Sequence, residues 1–124
     1  MRGLLERGTR VVSFDVGGDS SRPSGLELQG IAGEVEEAMG DLRDAELVAR
    51  TLSAADVDTV FHLAAQTIVG TAASSPAETF DVNVRGTWTL LEACREQGVG
   101  RTIVASSDKA YGAHEELPYR EHYA

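Results

Sequence analysis

Apolar positions along the chain follow two rhythms, short β-branched runs and longer helical spacings. Thr9-Arg10-Val11-Val12-Ser13-Phe14-Asp15 is a β-branched run closing on an acid and predicts a strand. Before it, Leu4-Leu5-Glu6-Arg7-Gly8 has the form of a helix's last turn, with Gly8 as its stop. A single closing turn cannot nucleate a helix, so upstream sequence is expected. Residues 16–25, rich in Gly, Ser and Pro, predict a loop, Leu26 to Ile31 a short helix, and Glu34 to Met39 a weak strand. Asp41 is placed as the N-cap of a helix running to about Leu52, with Leu47, Val48 and Leu52 on one buried side.

The clearest strand is Val57 to Ala65, an apolar run leading into small residues that leave the backbone approachable. Ser75-Pro76-Ala77-Glu78 carries three helix-start signals: a Ser cap, Pro at the first position and Glu three residues after the Ser. From there Phe80, Val84, Trp88, Leu91 and Cys94 recur at three- and four-residue steps, which predicts a buried stripe on a helix ending near Gly98. Arg101 to Ser106 is a further strand, and Ser107 to Ala124 is polar and loop-like. Strand–helix–strand alternation with apolar strands gives an α/β domain, a parallel sheet covered by helices on both faces.

Composition narrows this without changing it. The 124 residues suffice for one domain, with ordinary apolar (42%) and charged (25%) fractions. A net charge of −9 repels phosphate backbones and anionic lipid, which speaks against nucleic acid and membrane surfaces as partners. The lone Cys94 permits no internal disulfide, and no segment resembles a signal peptide or a membrane span, so a cytoplasmic location is expected.

Ligands of open α/β sheets lie beyond the carboxyl ends of the strands. Those ends are Asp15, then Asp41-Leu42, then Leu63-Ala64-Ala65-Gln66, then Ser106-Ser107-Asp108-Lys109, and all should line one edge. Asp15 suits the ribose hydroxyls of a dinucleotide and would repel the extra phosphate of NADP; its bland alternative is a solvated acid opening a loop. Asp41 is as well explained as a helix cap. Gly17-Gly18 follows the strand rather than preceding it, so no glycine-rich phosphate loop is formed there. His62 lies within an apolar strand and is read as a core histidine, as Cys94 and Trp88 are read as core. His62, His114 and His122 lack metal-ligand spacing, and no metal is expected.

Taken in order, Val60-Phe61-His62-Leu63-Ala64-Ala65-Gln66, Asn83-Val84-Arg85-Gly86-Thr87 and Ser106-Ser107-Asp108-Lys109-Ala110-Tyr111-Gly112 resemble the extended short-chain dehydrogenase/reductase family, with Gly40-Asp41-Leu42-Arg43-Asp44 as its adenine-side segment. The resemblance covers nearly the whole chain and implies a partial Rossmann-type, doubly wound parallel sheet with NAD as cofactor. The implied cofactor contacts are Asp15, Asp41, Leu42, Leu63, Ala64, Ala65, Gln66, Asn83 and Ser106. Ser107-Asp108-Lys109 is most similar to the Thr-Asp-Lys arrangement of CDP-glucose 4,6-dehydratases, and Pro118-Tyr119-Arg120-Glu121 is similar to the segment that follows there. Epimerases of the family tend to carry Ser-Ser with small residues instead; a nucleotide-sugar 4-epimerase is the enzymatic alternative, and a non-catalytic nucleotide-binding remnant the other.

The implied reaction takes a nucleotide sugar such as CDP-glucose. Oxidation at C4 acidifies the C5 proton, the C6 hydroxyl leaves as water, and C6 is then reduced. By resemblance Asp108 is the acid, Lys109 the group near the C5 proton and Ser107 a donor to the C4 oxygen. A lysine acts as base only where burial or nearby positive charge depresses its pKa. Ala72-Ala73 stands where relatives carry a hydroxyl–aromatic pair, and Gly70 stands near where they often carry a basic residue. Tyr111, Tyr119 and Tyr123 do not supply the family's Tyr-x-x-x-Lys pair, which is expected beyond Ala124, as the glycine loop and first strand are expected before Met1. Homodimerisation, common in the family through the helix from Ser75 to Gln97, is a further expectation.

That first strand is central in the order 3-2-1-4-5. Without it the Val11 and Val60 strands should flank a gap, and the isolated chain should be unstable, aggregate, or pair the two strands directly. A soluble monomer with a cooperative melt would overturn this expectation.

Overall fold

The computed structural model describes residues 1–18, 21, 23–113 and 116–122; His114 and Tyr123 lie outside them. Among the described residues four strands form, β1 (Val12–Asp15), β2 (Glu36–Met39), β3 (Thr59–His62) and β4 (Arg101–Val104). They pair as β1 with β2, Val12 opposite Glu36, and β3 with β4, Thr59 opposite Arg101. Among the described residues β1 and β3 are not bonded to each other. Each therefore keeps one edge without a strand, and the direct pairing entertained above does not occur. The acidic strand Glu36-Glu37-Ala38-Met39 is the least β-prone by composition, and Arg10 compensates, donating Nε and Nη2 to the Glu36 carboxylate at 2.6 and 2.8 Å.

Two apolar clusters hold the strands. Val48 and Leu52 of α3 (Ala45–Ala54) meet Leu90, Ala93 and Cys94 of the later helix α6 (Gly86–Glu96), with Phe14 and Val60 packed against them. Leu26, Ile31 and Val35 form the second cluster, with Leu5 and Val11. Val11 and Phe14 are three positions apart in extended chain and so address opposite sides; helices therefore cover both faces around β1.

Helix α1 (Arg2–Leu5) ends as expected at Gly8, whose φ of +74° lets Gly8 N–H and Thr9 N–H bond back to Leu5 and Leu4. The second helix, α2 (Gly25–Leu28), starts and stops earlier than expected, because Ser24 and Glu27 form a reciprocal capping box. Asp44, not Asp41, caps α3, accepting Leu47 N–H at 3.0 Å. Val48 and Leu52 are buried as expected, while Leu47 is only half-buried. A short helix, α4 (Val69–Ser74), was not expected; it buries nothing and its Val-Gly-Thr-Ala-Ala-Ser sequence has no amphipathic period.

The long helix does start at Ser75, though Ser75 makes no side-chain cap bond. Helical backbone runs through α5 (Pro76–Phe80), a π turn (Asp81–Arg85) and α6. The expected buried stripe is the main correction. Phe80, Val84, Trp88 and Leu91 are 69%, 47%, 59% and 41% exposed, and Cys94 alone of the five is buried. The buried positions are Gly86, Thr89, Leu90, Ala93 and Cys94. Close approach to α3 selects small side chains at Ala93 and Cys94, with Leu90 as the large side chain that α6 contributes there. The Ser107–Ala124 segment is also not wholly loop, since Asp108–Tyr111 forms a 3-10 turn and Tyr111 stacks on Tyr119, centroids 5.6 Å apart. No helix among the described residues is long and apolar enough to cross a membrane.

Gly40 sits where β2 turns toward α3. A Cβ there would overlap Leu47 and lie 2.8 Å from Phe14 Cζ. Gly40→Ala should lower stability by about 1–3 kcal/mol through overpacking, read as a shifted urea midpoint; an unshifted midpoint would show that Leu47 and Phe14 simply swing aside.

Candidate cofactor and active site

Pairing continues past the strand ends and brings the candidate residues together. Gly40 N–H donates to Asp15 O at 2.8 Å, setting Asp15 beside the Asp41 segment. Ala105 N–H donates to His62 O at 3.0 Å, so the segment opening at Leu63 runs beside the one that leads into Ser106. At the first junction Asp15 is exposed, its Oδ1 accepting Gly17 N–H at 3.1 Å. Asp41 is bound to Arg43: Oδ1 accepts the Arg43 N–H and Nε at 2.9 and 3.0 Å, and Oδ2 accepts Nη2 at 2.6 Å. Arg43 Nη1 reaches on to Asp81 of the π turn at 2.9 Å, and Arg85 also donates to Asp81 at 3.2 Å. These hydrogen bonds from Arg43 hold both carboxyls below the usual carboxylate range. Leu42 is partly buried against the α3–α6 cluster.

At the second junction Leu63, Ala64 and Ala65 are exposed, and Ala64 and Ala65 place nothing beyond Cβ over the backbone. Gln66 is partly buried and held from both sides. Asn83 Oδ1 accepts Gln66 N–H at 2.7 Å, and Asn83 Nδ2 donates to Gln66 O at 2.9 Å. The Gln66 side chain in turn accepts Ile68 N–H at 2.6 Å and donates to Ile68 O at 3.2 Å.

His62 is a buried core histidine, as expected, with Nε2 2.8 Å from Thr87 Oγ1. The Thr87 hydroxyl has one proton, and it is donated to Asn83 O at 2.6 Å. Nε2 must therefore carry a proton and donate to Thr87. Burial pushes the imidazole below its ordinary value. Folding thus resists protonation: stability is full above the unfolded-state pKa of about 6.5 and is lost as pH falls from there toward the folded value. Urea unfolding between about pH 7.5 and 5.5 should show that decline, and His62→Gln should flatten it; an equally steep decline in the variant would assign the effect elsewhere. Cys94 is buried and free, in keeping with a packing role.

Ser106, Ser107, Asp108 and Lys109 are all exposed beyond β4. Ser107 Oγ caps the 3-10 turn by accepting Lys109 N–H at 3.2 Å, and Lys109 Nζ lies 3.3 Å from Asp108 Oδ2. The ion pair is open, Lys109 being 80% and Asp108 55% exposed. No cluster of three or more metal-ligating side chains occurs among the described residues.

The motif blocks include Arg43 and Thr87 without assigning them a part, and Asp81 lies outside those blocks. Asp81 and Arg85 at i,i+4 were a visible signal; the reach of Arg43 from another element was not.

Over residues 1–124 the chain matches the GDP-mannose 4,6 dehydratase family. A UDP-glucose 4-epimerase of Erwinia amylovora is 36% identical over 119 residues, covering 95% of this chain and 35% of the epimerase. The crystal structure of UDP-glucose 4-epimerase from Bifidobacterium longum, in complex with NAD+ and UDP, superposes with a TM-score of 0.84 at 35% identity, over 98% of this chain and 37% of that one. A dTDP-glucose 4,6-dehydratase from Streptomyces venezuelae, with NAD and TYD bound, gives 0.82 at 28% identity, over 99% and 39%. The chain thus spans a little over a third of the length of these relatives. With two parallel strand pairs among the described residues alternating with helices in the Rossmann manner, the chain belongs to the extended short-chain dehydrogenase/reductases, in their NAD-dependent epimerase/dehydratase branch.

Proposed function

We propose that this chain is the cofactor-side part of an NAD-dependent nucleotide-sugar 4,6-dehydratase. The carrying observation is the Asp108–Lys109 pair, exposed beyond β4, where a carboxyl group and an ammonium lie 3.3 Å apart on one turn. The strand ends fit a dinucleotide: Asp15 offers an exposed carboxylate to ribose hydroxyls, and Ala64-Ala65 leave backbone accessible. Asp41, Leu42, Leu63, Gln66 and Ser106 complete that lining. When bound, NAD supplies oxidation at C4 of the hexose and returns the electrons at C6.

The chain's own residues then divide the proton traffic. Ser107 hydrogen-bonds the C4 oxygen, Asp108 gives a proton to the departing C6 hydroxyl, and Lys109 meets the C5 proton. Lys109 serves as base only once substrate covers it, since it is 80% exposed here. The Ser-Asp-Lys likeness favours CDP-glucose as substrate. Exposed Phe80, Val84, Trp88 and Leu91 suit the homodimer contact implied by resemblance.

A 4-epimerase is the second reading, favoured by the UDP-glucose 4-epimerase relatives. Incubating the protein at its natural length with NAD and CDP-, UDP- or dTDP-glucose separates them. Loss of water to a 4-keto-6-deoxy sugar supports the dehydratase; a C4 epimer of unchanged mass replaces it with the epimerase, and no product from any sugar removes both.

A further inference from the structure

Met39 closes β2 in a place that core packing does not explain. It belongs to neither apolar cluster and is 58% exposed. In the β1–β2 ladder it stands opposite Asp15, and paired residues of a parallel ladder project to the same side of the sheet. Its side chain lies over the turn that follows Asp15, where a Cβ at Gly17 would be 2.5 Å from Met39 Cε. Gly17 has a φ of +86°, and its N–H donates to Asp15 Oδ1 at 3.1 Å. An unbranched thioether can reach sideways past the neighbouring strand end and settle on a bare Cα; a stiff β-branched side chain would stop short.

The backbone of Asp15 is fixed by Gly40 N–H, so what remains to be aimed is its carboxylate. Gly17 N–H holds one oxygen of that carboxylate, and Met39 holds Gly17 in the turn that delivers the bond. Without the methionine the turn would hang on one exposed hydrogen bond and a glycine, the residue with most conformational freedom to regain. We infer that Met39 is a positioning residue for cofactor choice: seated on Gly17, it aims the Asp15 carboxylate at the ribose 2′-position, favouring a free diol over a 2′-phosphate. Its action passes through Gly17 and Asp15. The inference rests on the NAD reading above and adds to it the side chain that keeps the selecting carboxylate in place.

Met39→Ala tests it, since the side chain is exposed and its loss leaves both apolar clusters intact. In the protein at its natural length, NAD affinity should fall roughly three- to tenfold, because binding must then order a released carboxylate and turn. NADP affinity should fall less or rise, because a carboxylate free to swing away repels the 2′-phosphate less. The preference for NAD over NADP should therefore narrow. Met39→Leu, which keeps an apolar side chain of similar volume, should retain most of that preference. A merely structural loss would weaken both cofactors alike and leave their ratio unchanged. In the cofactor-free Met39→Ala protein the Gly17 amide should exchange faster, while the Val48 and Leu90 amides keep their rates.

A measurement without mutation guards against misfolding of the variants. In the unmutated protein, magnetisation transfer between the Met39 methyl and the Gly17 Hα should be present before NAD is added and persist at saturation, while the Asp15 carboxyl carbon signal moves. Absence of that transfer overturns the inference, as does an unchanged NAD-to-NADP ratio in Met39→Ala, or an unmutated protein that binds the two equally. If the unmutated protein takes up neither cofactor, the NAD reading itself falls and this role with it; if it binds NAD selectively and Met39→Ala is just as selective, the positioning role alone falls.

Discussion

Leu90→Ala is expected to lower the free energy of unfolding by about 2–5 kcal/mol, through lost burial and the cavity left behind. Leu90 is 6% exposed and sits where α6 meets Val48 and Leu52 of α3. Ala93 and Cys94 beside it are small, so neighbours have little side chain with which to refill the space. Small domains hold only about 5–15 kcal/mol in total, so this one change removes a large share. Leu91→Ala is the internal comparison. That side chain is 41% exposed, and its loss should stay within about 0.5 kcal/mol. Urea midpoints of the two variants decide the point: equal losses would mean that α6 packs through the Trp88–Leu91 side, contrary to the structure.

The other large effect is chemical. Under the dehydratase reading, Asp108→Asn should slow water loss by about 10²–10⁴-fold, the usual worth of a positioned general acid. Asparagine keeps the shape but cannot release a proton at useful pH. Inversion at C4 needs no proton delivered to a C6 hydroxyl, so an epimerase would pass through the same substitution with its rate nearly intact. Product formation followed by mass spectrometry gives the answer directly. A dehydratase whose rate is unmoved by Asp108→Asn would move the acid's role to another residue.

Most of the strands could be read in the sequence because β-branched runs and acidic ends mark them, and parallel pairing followed from their alternation with helices. The weak strand at Glu36–Met39 is legible by position more than by composition, since what holds it is its ladder with β1, a segment distant in sequence. Neighbouring acids were harder to rank. Asp41 and Asp44 are both good cap residues, and only the fold shows that Arg43 occupies Asp41 and leaves Asp44 to the helix. Ser24-Gly25-Leu26-Glu27 did carry a capping-box pattern that the loop-rich surroundings obscured.

The helix after Ser75 was mistaken in phase rather than in existence. Spacing alone puts the large side chains in the core, whereas the α3–α6 contact buries Leu90, Ala93 and Cys94. The candidate site followed the same division. Which residues stand at the strand ends was visible, because strand ends are local. Which of them are already engaged was not, because Arg43–Asp81 and Asn83–Gln66 join segments 38 and 17 positions apart.

The π turn also sets how this gene can tolerate change in length. Deleting one residue between Asp81 and Arg85 would turn it into an ordinary helical turn, and each residue of an α-helix accounts for about 100° of rotation. Everything beyond would revolve by that amount relative to α5. Leu90 and Cys94 would then leave α3, or Asn83 would leave Gln66, since one rigid rod cannot satisfy both. Point substitutions at exposed polar positions of this helix should be absorbed readily, while a single-codon deletion in the turn, harmless by size and composition, should be rejected.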